Sequence, residues 1–179
     1  KRAAAHFKAD HDFADLARLR VVKLQSGDEE TLRIWRELVD VSLASHNVMY
    51  ARLHLLLTDE HLAGESIYNA VLGSVADELK TKGVAVVDDG ALCVFVPGFN
   101  APLILRKRDG GYGYDVTDLA ALRHRVRDLH ADRLVYVVDV RQGDHFAQVF
   151  AVSRMAGWLP DTVSAQHVGY GMVLGNDGK

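Results

Sequence analysis

Tyr114 and Asp118 stand four residues apart where a helical pattern opens, and Asp139, Arg141 and Gln142 close a short apolar run. On a helix, residues four apart are neighbours. A carboxylate beside a phenol at a helix start can grip a cationic ligand. The same acid can instead serve the helix dipole, and spacing alone favours that role. Open α/β sheets bind ligands just beyond the carboxyl ends of their strands. Asp139, Arg141 and Gln142 are therefore placed for ligand contact, with a plain polar loop as the rival and favoured reading. Farther on, Gly169, Gly171 and Gly175 would let backbone approach a flat ligand, or would only make turns.

Other constellations carry less. Asp109-Gly110-Gly111 is too slight for a phosphate loop and reads as a turn. His46 and His54 are eight apart without companion ligands, so no metal site is expected. The one cysteine, Cys93, lies in an apolar strand pattern and excludes a disulfide framework. Trp35 and Met49 read as core rather than as a stacking platform for nucleic acid. Gly64-Glu65-Ser66-Ile67-Tyr68-Asn69 reads as a constrained loop, with no chemical role for Glu65.

The positioning elements follow from periodicity. Leu119, Ala120, Leu122, Val126 and Leu129 give one helix its apolar face, with Asp115 or Thr117 as its N-cap. Leu134 to Val138 runs without polar alternation, which predicts a strand buried on both faces of a parallel sheet. A helix bearing Phe146, Val149, Phe150, Val152, Met155 and Ala156 follows, ended by Gly157 to Pro160. The last strand spans 163–168. Upstream, segments 84–87 and 91–96 flank Asp88-Asp89-Gly90, a strong hairpin signal. A third strand starts at Leu103. Residues 70–82 read as a helix closed by Gly83. The first 57 residues read as three helices, the third beginning at a Ser26–Glu29 capping box.

Composition bounds the class. The 179 residues are 49% apolar, which suits a globular domain with a good core. The net charge of −3 argues against a basic nucleic-acid surface over this segment as a whole. No apolar run is long enough for a membrane helix or a signal sequence.

Taken together, several motifs resemble arginyl-tRNA synthetase of the bacterial type. They are Gly64-Glu65-Ser66-x-Tyr68-Asn69, Arg106-Lys107, Asp109-Gly110-Gly111-Tyr112-Gly113-Tyr114 and Thr117-Asp118-Leu119-Ala120. Tyr136-Val137-Val138-Asp139, Gln142-x-x-His145-Phe146 and the stretch from His167 through Gly171-Met172-Val173-Leu174-Gly175 to Asp177-Gly178-Lys179 complete the set. They come in the family's order over nearly all of the chain.

The resemblance implies an α/β fold: the second half of a class I Rossmann-like nucleotide-binding domain with parallel strands, preceded by a helical segment and a β-hairpin insert. The implied divisions are 1–63, 64–107 and 108–179. It implies arginine–tRNA ligase activity, with arginine, ATP and tRNA(Arg) as partners. ATP would be a substrate accompanied by Mg2+, with no tightly bound cofactor. Tyr114, Asp118 and Gln142 match the residues that hold the substrate guanidinium, a planar fork of donors suited to a carboxylate. Gly171, Met172 and Val173 match the segment that meets adenine, and His145 lies near that region in the family. No catalytic residue and no metal ligand is assigned. A cytoplasmic monomer is expected.

Departures bear on the expectation. The chain has no His-x-Gly-His motif, since His167-Val168-Gly169-Tyr170 ends in tyrosine. The family's second ATP loop follows the Asp-Gly-Lys segment, and here the sequence stops at Lys179. The family's loop at Asn100-Ala101 is longer. The chain is therefore expected to be the middle of a larger enzyme and to make no adenylate alone. Two alternatives stand beside this: a standalone, non-catalytic module binding arginine or a nucleotide, and an inactive remnant.

Overall fold

Asp10, Gly27 and Asp28 punctuate the first third of the chain in a computed structural model that describes residues 2–172 and 174. Helices α1 (Arg2–Ala9), α2 (His11–Ser26) and α3 (Glu29–Arg52) run in order. The Asp10 carboxylate accepts from Phe13 N at 3.0 Å and caps α2. Gly27, at φ +87°, ends it in the left-handed region that glycine enters without strain. The expected Ser26–Glu29 capping box does not form. The Asp28 carboxylate accepts from Thr31 N at 3.0 Å and caps α3, while Ser26 Oγ donates back to Lys23 O at 3.0 Å. Asp28 is two residues closer to the helix than Ser26 and supplies a full charge there.

The chain packs as two units, Lys1–Ala63 and Gly64–Lys179. In the first, paired helices bury only the stripe along which they meet. Ala14 and Thr31 are its only buried side chains among the described residues. Met49, expected in the core, is 55% exposed. Trp35 is half-buried in a groove lined also by Val21, Leu24 and Ile34.

The second unit opens with a 3-10 segment, Glu65–Val71, that runs into α4 (Leu72–Thr81), so the regular helix starts two residues later than periodicity suggests. Gly83 closes it at φ +70°. Strands β1 (Val86–Asp88) and β2 (Ala91–Val94) form the expected antiparallel hairpin. Asp89 and Gly90 turn it with φ of 44° and 77°, the positive pair that matches the twist of the flanking strands. β3 (Leu103–Arg106) pairs antiparallel with β2 and completes a three-stranded sheet of order β1-β2-β3. Cys93, 4% exposed, sits in its middle strand.

A turn over 107–111 leads to α5 (Tyr114–Arg127), then β4 (Arg133–Asp139), a 3-10 turn (Val140–Gln142), α6 (Gly143–Met155) and β5 (Ser164–Tyr170). β4 and β5 pair in parallel, from Arg133 opposite Ser164 to Asp139 opposite Tyr170. A parallel pair needs a crossover of this length, and α6 supplies it.

β4 departs from expectation. Leu134 and Tyr136 are buried, but Val135 and Val137 are 46% and 60% exposed. Helix packing covers one face of the pair; the other carries valines with nothing over them among the described residues. Leu129 is exposed because α5 ends at Arg127, and Met155, at the last turn of α6, is exposed as well.

One core joins both sheets and α4 to α6, with Leu72, Val75, Leu79, Leu105, Leu119 and Val149 at its centre. Each buried side chain of this size contributes roughly 1.5–3 kcal/mol. Under it lies one polar node. Trp158, 1% exposed, donates its indole N–H to Glu78 Oε1 at 2.7 Å. Arg123 and Arg127 reach the same carboxylate at 2.7 and 2.9 Å, and Lys82 Nζ lies 3.1 Å away. A buried indole N–H needs such a partner. Among the described residues, no helix is long and apolar enough to cross a membrane.

Candidate functional site

The start of α5 fixes the site. Gly113 is its N-cap residue and gives no side-chain cap. A Cβ at Gly113 would lie 3.2 Å from Ile104 O, so the chain enters the helix pressed against β3. Neither expected cap acts as one. Thr117 is buried inside the helix, and Asp115 Oδ2 instead accepts from Ile104 N at 3.2 Å, tying the first turn to β3. Because the helix begins at Tyr114, Tyr114 and Asp118 lie one turn apart on one face.

The side chain that completes this face comes from the first turn of α6. His145 Nε2 is 2.7 Å from Asp118 Oδ2, and His145 Nδ1 is 3.3 Å from Asp115 Oδ1. The side chains of His145, Asp115 and Asp118 retain only 13%, 16% and 27% of their exposure. The Tyr114 ring lies 5.0 Å from the imidazole, tilted by 55°, and is itself 63% exposed. Phe146 meets the imidazole edge-on at 5.0 Å. Burial opposes charge on His145, but hydrogen bonds to Asp115 and Asp118 outweigh it and push the ring up to about 9. The charge of Asp115, then burial, then Asp118, holds the Tyr114 phenol above its ordinary range. The cluster is thus two carboxylates and an imidazolium, with a phenol at its open side.

Gln142 is exposed and occupies the N-cap position of α6, three residues before His145. Its amide takes no hydrogen bond among the described residues. Asp139 and Arg141 are engaged with each other. Arg141 Nε and Nη2 donate to the two Asp139 oxygens at 2.8 Å, and Asp139 also accepts from Arg141 N. That guanidinium, followed by the backbone bond, lowers the Asp139 carboxyl to about 2. The pair braces the 3-10 turn in which Gln142 lies.

Gly171 and Met172 follow the end of β5 and are exposed, with open space where a Gly171 side chain would be. Val173, expected beside them, lies outside the described residues. Gly169 has a packing role: a Cβ there would sit 3.0 Å from Val140 Cα, so its absence lets β5 close on the 3-10 turn. His145 is placed against Asp115 and Asp118 of α5. The sequence gives a faint signal of this: two acids three apart at one helix start, and a histidine in the first turn of the next helix.

A parallel strand pair joined by a helix, with polar groups gathered beyond the strand ends, defines an α/β domain of ligand-binding type. Its sequence matches, over residues 1–179, the model of the tRNA synthetases class I (R), catalytic domain, and the chain belongs to that family. It is 65% identical over 173 residues to an arginine–tRNA ligase of Cutibacterium acnes, covering 97% of this chain and 31% of that protein. It is 55% identical to one of Thermobifida fusca, covering 99% of this chain and 32% of that protein. The chain thus spans about a third of the length of the curated relatives it matches. Among solved structures it resembles arginyl-tRNA synthetase from Plasmodium falciparum, with a TM-score of 0.80 and 33% identity over 92% of this chain and 29% of that one. A protein described as a putative arginyl-tRNA synthetase from Campylobacter jejuni shares the fold, with a TM-score of 0.63 at 15% identity over 89% of this chain and 36% of that one.

Proposed function

We propose that this chain forms the arginine-recognition part of an arginine–tRNA ligase. The observation that carries the reading is the pairing of Tyr114 and Asp118 on one face of α5, with the carboxylate part-buried beside His145. A guanidinium offers a planar fork of donors that a carboxylate accepts at two points. Asp118 would take that fork. Tyr114 would cover it from the open side, and Gln142 would add a carbonyl oxygen from the strand end. A site built this way rejects side chains lacking the donors, because its own polar groups would be left unpaired.

The reaction would join the arginine carboxylate to the α-phosphorus of ATP with release of pyrophosphate. The arginyl group would then pass to the 3′ end of tRNA(Arg). The carboxylate is already ionised, so no base need act on it. The protein's contribution is positioning and charge stabilisation. Gly171, Met172 and Val173 would offer backbone to the adenine. Mg2+ would accompany the ATP phosphates. ATP would be consumed as a substrate, with no tightly bound cofactor. The reading extends to a cytoplasmic, monomeric enzyme.

Calorimetry with arginine tests the core of it. Binding that disappears in Asp118→Ala is the expected result; undiminished binding in that variant would exclude the assignment.

A further inference from the structure

We propose that His145 is the resident counter-cation of this acidic pocket and yields Asp118 to the guanidinium of the incoming amino acid. The inference rests on the arginine reading above and adds a device for occupancy and selectivity.

Asp115 and Asp118 project from the same turn of α5 into a space that is mostly closed to water. Two carboxylates so placed repel, and burial raises the cost of their charge. The imidazole lies against both, at 3.3 and 2.7 Å, so the acidic pair is partly neutralised from within, one charge of the two being balanced. Among the described residues, the titratable groups facing the ring are Asp115, Asp118 and Tyr114, all from α5. Behind it on α6, Phe146 separates the ring from β5, where His167 stacks on Phe146 at 5.8 Å. On β4, Tyr136 packs on Phe146 and lies under Arg125.

A guanidinium fork needs both oxygens of a carboxylate. His145 Nε2 holds one of them, Asp118 Oδ2. Two cations cannot both press on that carboxylate without mutual repulsion. The ring therefore gives up its contact with Asp118 and keeps the one with Asp115, where it is less strongly favoured as a cation, and part of its proton goes to solvent. A neutral side chain of the same shape brings no charge to replace the imidazolium, so the pocket favours a charged ligand over its uncharged isostere.

The test is arginine titration by calorimetry in two buffers of different ionisation enthalpy, at pH 7.5, on the protein and on His145→Asn. The protein should release part of a proton on binding, up to about one. His145→Asn should release distinctly less while keeping arginine affinity within about tenfold. Proton magnetic resonance of the His145 ring gives a second readout that needs no variant: its titration midpoint should move down when arginine saturates the site. Equal release in both proteins, or an unmoved midpoint, overturns the inference and leaves the arginine reading standing. A loss of affinity well beyond tenfold in a folded His145→Asn shows a direct ligand contact instead and also overturns it. Absence of arginine binding by the unaltered protein removes both.

Discussion

The indole N–H of Trp158 and the Glu78 carboxylate meet at 2.7 Å, 80 residues apart in sequence, and fasten the end of α6 to α4. Arg123 and Arg127 bring α5 into the same contact. Replacing Glu78 by alanine leaves a buried indole donor and a largely buried guanidinium without their acceptor. The expected cost is about 2 kcal/mol, seen as a fall of several degrees in the thermal midpoint. Burial works against the ionised Glu78, but bonds from Trp158, Arg127, Lys82 and Arg123 outweigh it and lower the group from 4.5 to about 2. A depressed carboxyl stabilises the fold above its unfolded value. The contribution is therefore complete above about 4.5 and is lost as pH falls toward 2, an acid sensitivity that Glu78→Ala should blunt.

His145 has the opposite sign. Its folded value, about 9, lies above the ordinary 6.5. The stability it confers is full below about 6.5 and fades as pH rises through 9. The linked free energy is at most about 3 kcal/mol. Magnetic resonance of the ring should place its midpoint near 9, and Asp118→Asn should draw it down toward the ordinary range. A midpoint of 6 to 7 in the unaltered protein would contradict the geometry around Asp115 and Asp118.

Asp118→Asn tests the ligand side of the same contact. The variant keeps the shape and one acceptor but removes the charge. Charge-assisted bonds to such a group are worth about 1.5–3 kcal/mol, so arginine affinity should drop about 10- to 100-fold by calorimetry. Tyr114→Phe should lose less, because the ring remains and only the hydroxyl goes.

Gly169→Ala should harm the site from a distance. The added methyl would lie 3.0 Å from Val140 Cα and 3.2 Å from Val140 Cβ. Backbone must give way, and overpacking of this kind costs about 1–3 kcal/mol. Val140 opens the turn that carries Gln142, so arginine binding should weaken together with the melting temperature. Gly171→Ala, with open space around it, should leave the fold unchanged.

Legibility in the sequence followed how local each cause was. The hairpin was written in Asp88-Asp89-Gly90, because positive φ at two successive residues is a local demand. The shared face of Tyr114 and Asp118 followed from spacing once the helix start was known. That start itself was obscured, since Asp115 and Thr117 look like caps but are drawn away, one to Ile104 N and one into the core. The burial of β4 was misjudged because Val135 and Val137 are as apolar as Leu134, and only the placement of the helices tells the two faces apart. The same applies to Met49: an apolar stripe records a face, while the number of neighbours decides whether it is covered. His145 could not be brought to Asp118 from sequence, because the two are 27 positions apart and the stretch between them includes a helix end, a strand and a turn whose paths are set by the core.

Cys93 lies shut inside the middle strand of the antiparallel sheet, where burial and then Asp88 push its thiol up, and it is the chain's one cysteine. Thiolate is the reactive form. An alkylating reagent can therefore reach this sulfur only when β2 parts from its neighbours. The rate at which a single label accumulates under native conditions thus becomes a clock for the breathing of that sheet.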